Sequence, residues 1–140
     1  MIDRFKLLYD AGNAESLSKN PTLTPEQIDL LYLNKMDFIK KNLARYPKLT
    51  EEQFVRFFND TDFDEDFLAR NPNLTPEQID LLYDAGANKE YLAEYSKLTE
   101  EQFMRFFNDE FLNNYYLAPN PSINAPAKQP FVSGIFNWKW

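Results

Sequence analysis

Cysteine and histidine are absent from this chain of 140 residues, and glycine occurs only three times. Without cysteine the chain has no disulfide framework and no thiolate nucleophile. Without histidine it lacks the commonest general base, and three glycines are too few for a glycine-rich phosphate loop. No pattern of catalytic partners surrounds the serines, which are Ser16, Ser18, Ser96, Ser122 and Ser133. We therefore expect no enzymatic activity, no cofactor and no small-molecule substrate.

Long apolar runs and an excess of positive charge are missing as well. No stretch approaches the roughly 20 apolar residues of a membrane-spanning helix, and the N-terminus lacks the pattern of a signal peptide. The 22 acidic residues outnumber the 15 lysines and arginines, so the net charge is −7. Such a charge argues against direct binding of nucleic acid through its phosphates. We expect a protein without membrane association, in the cytoplasm, or in the host-cell cytoplasm or a virion if a virus encodes it.

One short motif, Leu-Thr-x-Glu-Gln, recurs four times along the chain. The copies are 26, 25 and 24 residues apart and occupy Leu23–Gln27, Leu49–Gln53, Leu74–Gln78 and Leu98–Gln102. In each copy the threonine can act as an N-cap, and the glutamine three residues later completes a capping box. Self-similarity at this period is typical of stacked repeats. The motif therefore predicts four helices that begin after Thr24, Thr50, Thr75 and Thr99.

Two short helices are predicted in each repeat. The first carries an apolar stripe at positions i, i+3 and i+4, for example Ile79, Leu82 and Tyr83. The second ends in a Leu-Ala dipeptide, which is found at Leu43-Ala44, Leu68-Ala69, Leu92-Ala93 and Leu117-Ala118. Residues 5–20 match a repeat that lacks the capping motif, and we interpret them as an N-terminal cap.

The repeats alternate between two types, so the duplicated unit is a pair of repeats of about 50 residues. The second and fourth carry Pro-Glu-Gln-Ile-Asp-Leu-Leu-Tyr, and the third and fifth carry Glu-Glu-Gln-Phe-x-Arg-Phe-Phe-Asn-Asp. Positions beside the stripe change between the two types, which makes Arg56 and Arg105 candidate partner-binding residues. The apolar residues at such positions either form an exposed ridge or pack between neighbouring repeats; they are Leu30, Val55, Leu81 and Met104.

The motif Leu-Ala-x-Asn-Pro-x-Leu-Thr-Pro-x-x-Ile/Leu-x-x-Leu resembles the leucine-rich repeat variant family over roughly residues 5–120. The resemblance implies an all-α fold without strands. It implies a right-handed solenoid in which an α-helix alternates with a shorter, often 3₁₀, helix. Together with the repeats and the tail of the sequence, we expect a short right-handed α-solenoid of about five two-helix repeats, each of about 25 residues, with an extended aromatic C-terminal tail. One member of the family carries an iron–sulfur module, which does not transfer to a chain without cysteine. The family otherwise implies a binding scaffold.

Acidic residues are densest just after the first helix of the third repeat. Asp60, Asp62 and Asp64 stand at alternate positions, as at the start of an EF-hand loop. The match then ends, because Glu65 stands where that loop needs glycine and Asn71 where it needs a bidentate glutamate. The run is either a solvated loop whose acids cap the second helix or a weak calcium site.

The repeat pattern divides the chain into a helical-repeat domain, residues 1–118, and a proline-containing linker and tail, residues 119–140. Near the end, Phe136, Trp138 and Trp140 alternate with polar residues. This aromatic tail either folds back over the fifth repeat as a cap or anchors a partner or a neighbouring copy. Tryptophan is common among residues that dominate binding energy, which makes these three residues candidate partner-binding residues.

These observations favour a non-catalytic protein-interaction component that binds a protein partner, or assembles with itself, through the solenoid surface and the aromatic tail. A viral chain of this kind would be a virion or assembly component or an inhibitor of a host factor. The alternative is an acidic nucleic-acid mimic that blocks a nuclease, a restriction enzyme or a CRISPR-type protein. A mimic needs rows of carboxylates, whereas the acidic surface is interrupted by Lys40, Lys41, Arg45 and Lys48.

Overall fold

The computed structural model describes residues 1–34, 36–61 and 63–125, and all regular secondary structure within them is helical. In these described ranges, nine α-helices precede one 3₁₀ helix, Asn114–Leu117. The α-helices are α1 (Arg4–Asp10), α2 (Ala14–Leu17), α3 (Pro25–Tyr32), α4 (Asp37–Arg45), α5 (Glu51–Phe58), α6 (Asp66–Ala69), α7 (Pro76–Asp84), α8 (Lys89–Tyr95) and α9 (Glu100–Phe107). The prediction of an all-α fold is therefore confirmed for the described part of the chain.

Four of the predicted site residues lie outside the described residues. They are Asp62 of the acidic run and three residues of the aromatic tail, Phe136, Trp138 and Trp140. The predictions made for them stay predictions. The C-terminal end of the array is therefore described through the residues up to Ala125.

In four repeats the first of the two helices begins at the predicted capping box. The N-caps of α3, α5, α7 and α9 are Thr24, Thr50, Thr75 and Thr99. In α5 the backbone amide of Gln53 donates to Thr50 Oγ1 (3.1 Å), and the backbone amide of Thr50 donates to Gln53 Oε1 (3.0 Å). Beyond the end of α7, Gly86 has a φ of 85° and the Ala87 amide donates back to the Leu82 carbonyl (3.0 Å). Glycine adopts this left-handed conformation without strain, so it ends the helix sharply.

The helices form consecutive pairs, which we number 1 to 5: α1 with α2, α3 with α4, α5 with α6, α7 with α8, and α9 with the 3₁₀ helix. The two members of each pair contact each other, and the second member of every pair contacts the second member of the next. The second helices therefore form a continuous row. Small side chains suit this close approach, and the Leu-Ala dipeptides place three fully buried alanines in the row: Ala44, Ala69 and Ala93.

The core consists of the predicted apolar stripes. Seven stripe residues are at most 1% exposed: Ile28, Leu31, Phe54, Phe57, Ile79, Leu82 and Phe106. The prediction of a buried stripe is wrong for Phe107, which is 49% exposed because no described helix packs beyond α9. At the opposite end, Leu8 of α1 is 48% exposed. The sequence left open whether four apolar residues beside the stripes form an exposed ridge or pack between repeats. Their side chains are 39% to 47% exposed, which favours the exposed ridge; they are Leu30, Val55, Leu81 and Met104.

Buried asparagines join neighbouring pairs. Asn71 of pair 3 is 1% exposed, and its Nδ2 donates to the carbonyls of Ala44 and Pro47 in pair 2 (both 2.8 Å). Asn120 makes the same two kinds of bond from pair 5 to pair 4. Pairs 2 and 3 are therefore joined in the same way as pairs 4 and 5. This agreement gives the alternation of the sequence a physical counterpart.

We predict that Asn71→Ala lowers the free energy of unfolding by about 1–3 kcal/mol, because it leaves two buried carbonyl oxygens without their donor. Asn73→Ala is the matched control, since Asn73 is exposed two residues further along the same turn. Denaturation in urea followed by circular dichroism measures both variants. Equal stability of the two would contradict the role assigned to Asn71.

Candidate interaction surfaces

A tyrosine that contacts two cations connects pairs 4 and 5. The ring centroid of Tyr83 lies 3.9 Å from the Arg105 guanidinium and 4.6 Å from the Lys89 ammonium. The Tyr83 hydroxyl donates to the Asp109 carboxylate, which also accepts from Lys89 Nζ (2.9 Å). Arg105 pairs in addition with Asp84 (2.7 Å). We call the contact region between two consecutive pairs a joint. All of these contacts cross the joint between pairs 4 and 5 except the one between Lys89 and the Tyr83 ring, so the cluster holds the two pairs together.

Burial and hydrogen bonding set the protonation states of this cluster. The Asp109 side chain is 5% exposed, and bonds from the Tyr83 hydroxyl, Lys89 and the Phe111 amide lower its pKa to about 2. Burial raises the pKa of Tyr83, and its hydrogen bond to Asp109 raises it further. The hydrogen bond to Asp109 also raises the pKa of Lys89. Asp109 is therefore ionised, and Lys89 protonated, throughout the physiological pH range.

A second cluster of similar composition connects pairs 2 and 3. The ring centroid of Tyr32 lies 5.3 Å from the Lys40 ammonium and 5.1 Å from the Arg56 guanidinium. Arg56 also pairs with Asp29 (2.9 Å). Hydrogen bonds from the Gln53 side chain and from Arg56 lower the pKa of Asp29. Corresponding residue types thus recur at corresponding joints.

Both predicted partner-binding arginines lie in these joints. The side chains of Arg56 and Arg105 are 39% and 42% exposed, so each guanidinium faces solvent as well as its aspartate and tyrosine. Ion pairs at such exposure contribute little stability alone, whereas stacking on an aromatic ring adds to them. The two arginines therefore help to join helix pairs, a role that the sequence analysis missed. Their part in partner binding stays a prediction.

The acidic run of pair 3 contacts the neighbouring pairs on both sides. Asp60 pairs with Lys40 of pair 2 (3.9 Å). Asp64 Oδ1 accepts from the Asp66 amide (2.9 Å), and Asp66 Oδ1 accepts from the Asn88 amide at the start of α8 in pair 4 (2.7 Å). Asp64 thus accepts one amide at the start of α6, whereas the N-cap residue Glu65 makes no capping bond with its side chain. The interpretation as a capping loop therefore applies to Asp64, and Asp66 bonds to the next pair.

The calcium interpretation of the run stays a prediction, because Asp62 lies outside the described residues. Among the residues that the structure does describe, no group of three or more acidic side chains is placed to hold a metal ion. None of the helices in the same part of the chain is long and apolar enough to cross a membrane.

Pair 5 exposes three aromatic side chains, which we call the terminal aromatic surface: Phe107, Phe111 and Tyr115. They are 49%, 84% and 74% exposed. Phe107 ends α9, Phe111 lies in the connection that follows, and Tyr115 lies in the 3₁₀ helix. Large aromatic groups on one short segment are suited to contact an apolar patch of another protein, because aromatic residues are enriched at such contacts.

The sequence contains a signal for this surface that the motif analysis did not use. Alignment of pair 5 with pair 3 places Phe111 in register with Asp62 and Tyr115 in register with Asp66. Two acids of one copy are thus aromatic residues in the other. Asp66 binds the next helix pair, whereas no described helix pair follows pair 5. The position of Tyr115 is therefore free of the contact that its counterpart makes.

A groove of about 170 Å³ opens at the start of α9. Its lining consists of Leu98, Thr99, Glu100, Phe103, Ser122, Ile123 and Ala125. The Leu98 amide donates to Ser122 Oγ (2.7 Å), which holds the chain after the 3₁₀ helix against the start of α9. Pockets for drug-sized ligands are larger, from about 300 Å³ upward, so this groove suits a few apolar side chains.

Comparison with known proteins gave no match to a protein-family model, to a curated protein or to a solved structure. The resemblance to the leucine-rich repeat variant family therefore rests on the motif alone and stays a prediction.

We predict that Asp109 makes the stability of the protein depend on pH. Its pKa is about 2 in the folded chain. The carboxyl of an unfolded chain has a pKa of about 3.9, so the ionised group contributes about 2 kcal/mol above pH 5. This contribution is lost as the pH falls from about 5 towards 2, because the folded protein then binds the proton as well. Asp109→Asn should therefore be most destabilising above pH 5, and its difference from wild type should narrow towards pH 2.

Urea denaturation at stepped pH measures this difference. Asp37→Asn is the control, because Asp37 pairs with Lys41 on the surface and its side chain is 73% exposed. Exposed pairs of this kind contribute about 0–1 kcal/mol. A stability difference for Asp109→Asn that stays constant with pH would show that the carboxylate is not held in its ionised form by this cluster.

Proposed function

We propose that this chain is a non-catalytic protein-interaction component that binds a partner protein through its fifth helix pair and its aromatic tail. The scaffold in this proposal is a short right-handed α-solenoid of five two-helix repeats, of the leucine-rich repeat variant type. The row of second helices supports it, because stacked repeats contact only their neighbours. The four capping boxes at spacings of 26, 25 and 24 residues support it further.

The observation that carries the proposal is the exposure of Phe111 and Tyr115, at 84% and 74%. Each large aromatic side chain can bury about 150–250 Å² in a contact, and tyrosine is enriched among residues that dominate binding energy. The fold itself does not require aromatic residues at these positions, since Asp66 occupies the equivalent position in pair 3. Their presence in pair 5 is therefore best explained by a contact with another protein.

The distribution of charge favours a protein partner over nucleic-acid mimicry. A mimic needs unbroken rows of carboxylates on one face. Here cations stand beside the acids at both joints: Arg56 beside Asp29, and Lys89 beside Asp109. Each neutralises the carboxylate that it contacts, so these acids do not form a continuous anionic strip.

The proposal is tested by comparing three tagged full-length proteins: wild type, Phe111→Ser/Tyr115→Ser, and Leu33→Ser/Met36→Ser. The control pair lies at the end of the α3–α4 hairpin and is 72% and 49% exposed, so both double variants alter exposed side chains and should keep the melting temperature of wild type. Affinity purification with quantitative mass spectrometry identifies a partner bound by wild type and by the control. Phe111→Ser/Tyr115→Ser should weaken the binding of that partner by about 2 kcal/mol or more, which raises Kd roughly thirtyfold.

Equal retention of the partner by all three proteins would overturn the proposed surface. An equal loss in both double variants would show that the effect is not specific to pair 5. Washing the captured complex with rising salt separates the two functional classes. A complex formed by nucleic-acid mimicry should dissociate steeply, whereas a complex anchored by aromatic side chains should change little.

A further inference from the structure

The groove at the start of α9 lies beside the turn that follows pair 5. The corresponding turn in the earlier copy follows pair 3, and there it leads into α7, the first helix of pair 4. The turn Asn120-Pro121-Ser122-Ile123 corresponds to Asn71-Pro72-Asn73-Leu74. In both turns the asparagine Oδ1 accepts from the amide two residues further on, at 2.7 Å and 2.8 Å. The chain therefore leaves pair 5 through the same kind of turn that, after pair 3, leads into α7.

The apolar side chains beside this turn are more exposed in the second copy than in the first, although the turn is the same. After pair 3, Leu74 is 7% exposed and Phe54 of α5 is fully buried. Their counterparts in pair 5 are less covered, since Ile123 is 50% exposed and Phe103 is only partly buried. The groove therefore lies where α7 follows the turn in the earlier copy, and the described chain up to Ala125 leaves it open.

We propose that residues Phe131–Ile135 of the same chain, Phe-Val-Ser-Gly-Ile, fill this groove and close the end of the helical array. The spacing along the chain fits. The buried Leu82 follows Leu74 by eight residues, and Phe131 follows Ile123 by eight residues. Apolar side chains would thus arrive at the groove at the same distance from the turn as they do in α7.

The sequence that leads to this segment does not have the pattern of a sixth helix pair. Pro126 and Pro130 stand before it, and proline is unfavourable in the interior of a helix. The capping motif is also lost, because Ala127 stands in register with Gln78 and cannot complete a capping box. A short apolar segment is sufficient for a groove of about 170 Å³.

The length of the intervening chain favours the same chain over a second copy as the occupant. Ala125 already lines the groove, and Phe131 follows it by six residues. Six residues span up to about 20 Å when extended, so the segment reaches the groove without strain. Such a short tether gives a local concentration in the millimolar range, which a second copy in dilute solution does not match. The inference goes beyond the proposed function, because Phe111 and Tyr115 do not line the groove.

The absence of cysteine makes a direct test possible with the full-length chain. Glu100→Cys places a thiol in the lining of the groove, and Ser133→Cys places one within the segment at little change in size. A disulfide requires Cα atoms within about 4.4–6.8 Å. Under mild oxidation the Glu100→Cys/Ser133→Cys protein should therefore close an intramolecular disulfide, which is seen as a faster-migrating monomer on a non-reducing gel.

Two further proteins make the rate of closure informative. Glu77→Cys/Ser133→Cys is the matched control, because Glu77 is an exposed residue in the first turn of α7, one helix pair away. It should close several-fold more slowly. Adding Phe131→Ser to Glu100→Cys/Ser133→Cys should slow closure to the rate of the control. Equal rates in the two double variants would overturn the proposal, and so would disulfide-linked dimers, which would assign the groove to a second copy.

Discussion

The array depends on a glutamine that bonds to two helices at once. It recurs at the third position of α5, α7 and α9, as Gln53, Gln78 and Gln102, and is 2% to 5% exposed. Gln53 Oε1 accepts from the N-cap amide of its own helix, while its Nε2 donates to the Pro25 carbonyl (2.9 Å) and to Asp29 (3.0 Å) in pair 2. Gln78 Nε2 also donates to the preceding pair, there to the side-chain carboxylate of Glu51 (3.2 Å). One amide thus fixes where a helix begins and how it lies against the preceding helix.

This double role accounts for the choice of residue. Glutamate also completes a capping box, but a carboxylate has no proton to donate to the Pro25 carbonyl and would stand beside the negative charge of Asp29. The first capping box supports this explanation, because no described capping box precedes it. Gln27 there is only partly buried and makes the two bonds of the box. The glutamine therefore becomes buried where a preceding capped helix is available to receive its second bond.

The parts of the structure that follow from local chemistry could be predicted from the sequence, and the parts that depend on distant neighbours could not. The starts of four helices were predictable because a capping box lies within four residues. The joints were not, because Arg56 and Asp29 are 27 residues apart and nothing local indicates that they meet. The same limit applies to Phe107, whose stripe pattern predicts burial although burial requires a helix beyond α9. The terminal aromatic surface became visible only when pair 5 was aligned with pair 3.

The two copies of the duplicated unit differ at a position that a contact with the next helix pair constrains in one copy only. Asp66 accepts the Asn88 amide of the following pair, so its position is constrained by the joint between pairs 3 and 4. Tyr115 holds the equivalent position in pair 5, where the described chain has no following pair to bind. A substitution at this position removes no hydrogen bond to a following pair, so the position can carry an aromatic side chain without loss of packing. Function is therefore expected where the requirements of stacking end, and the same reasoning explains why the proposed surface lies at pair 5, the last pair that the structure describes, and not at the contacts between earlier pairs.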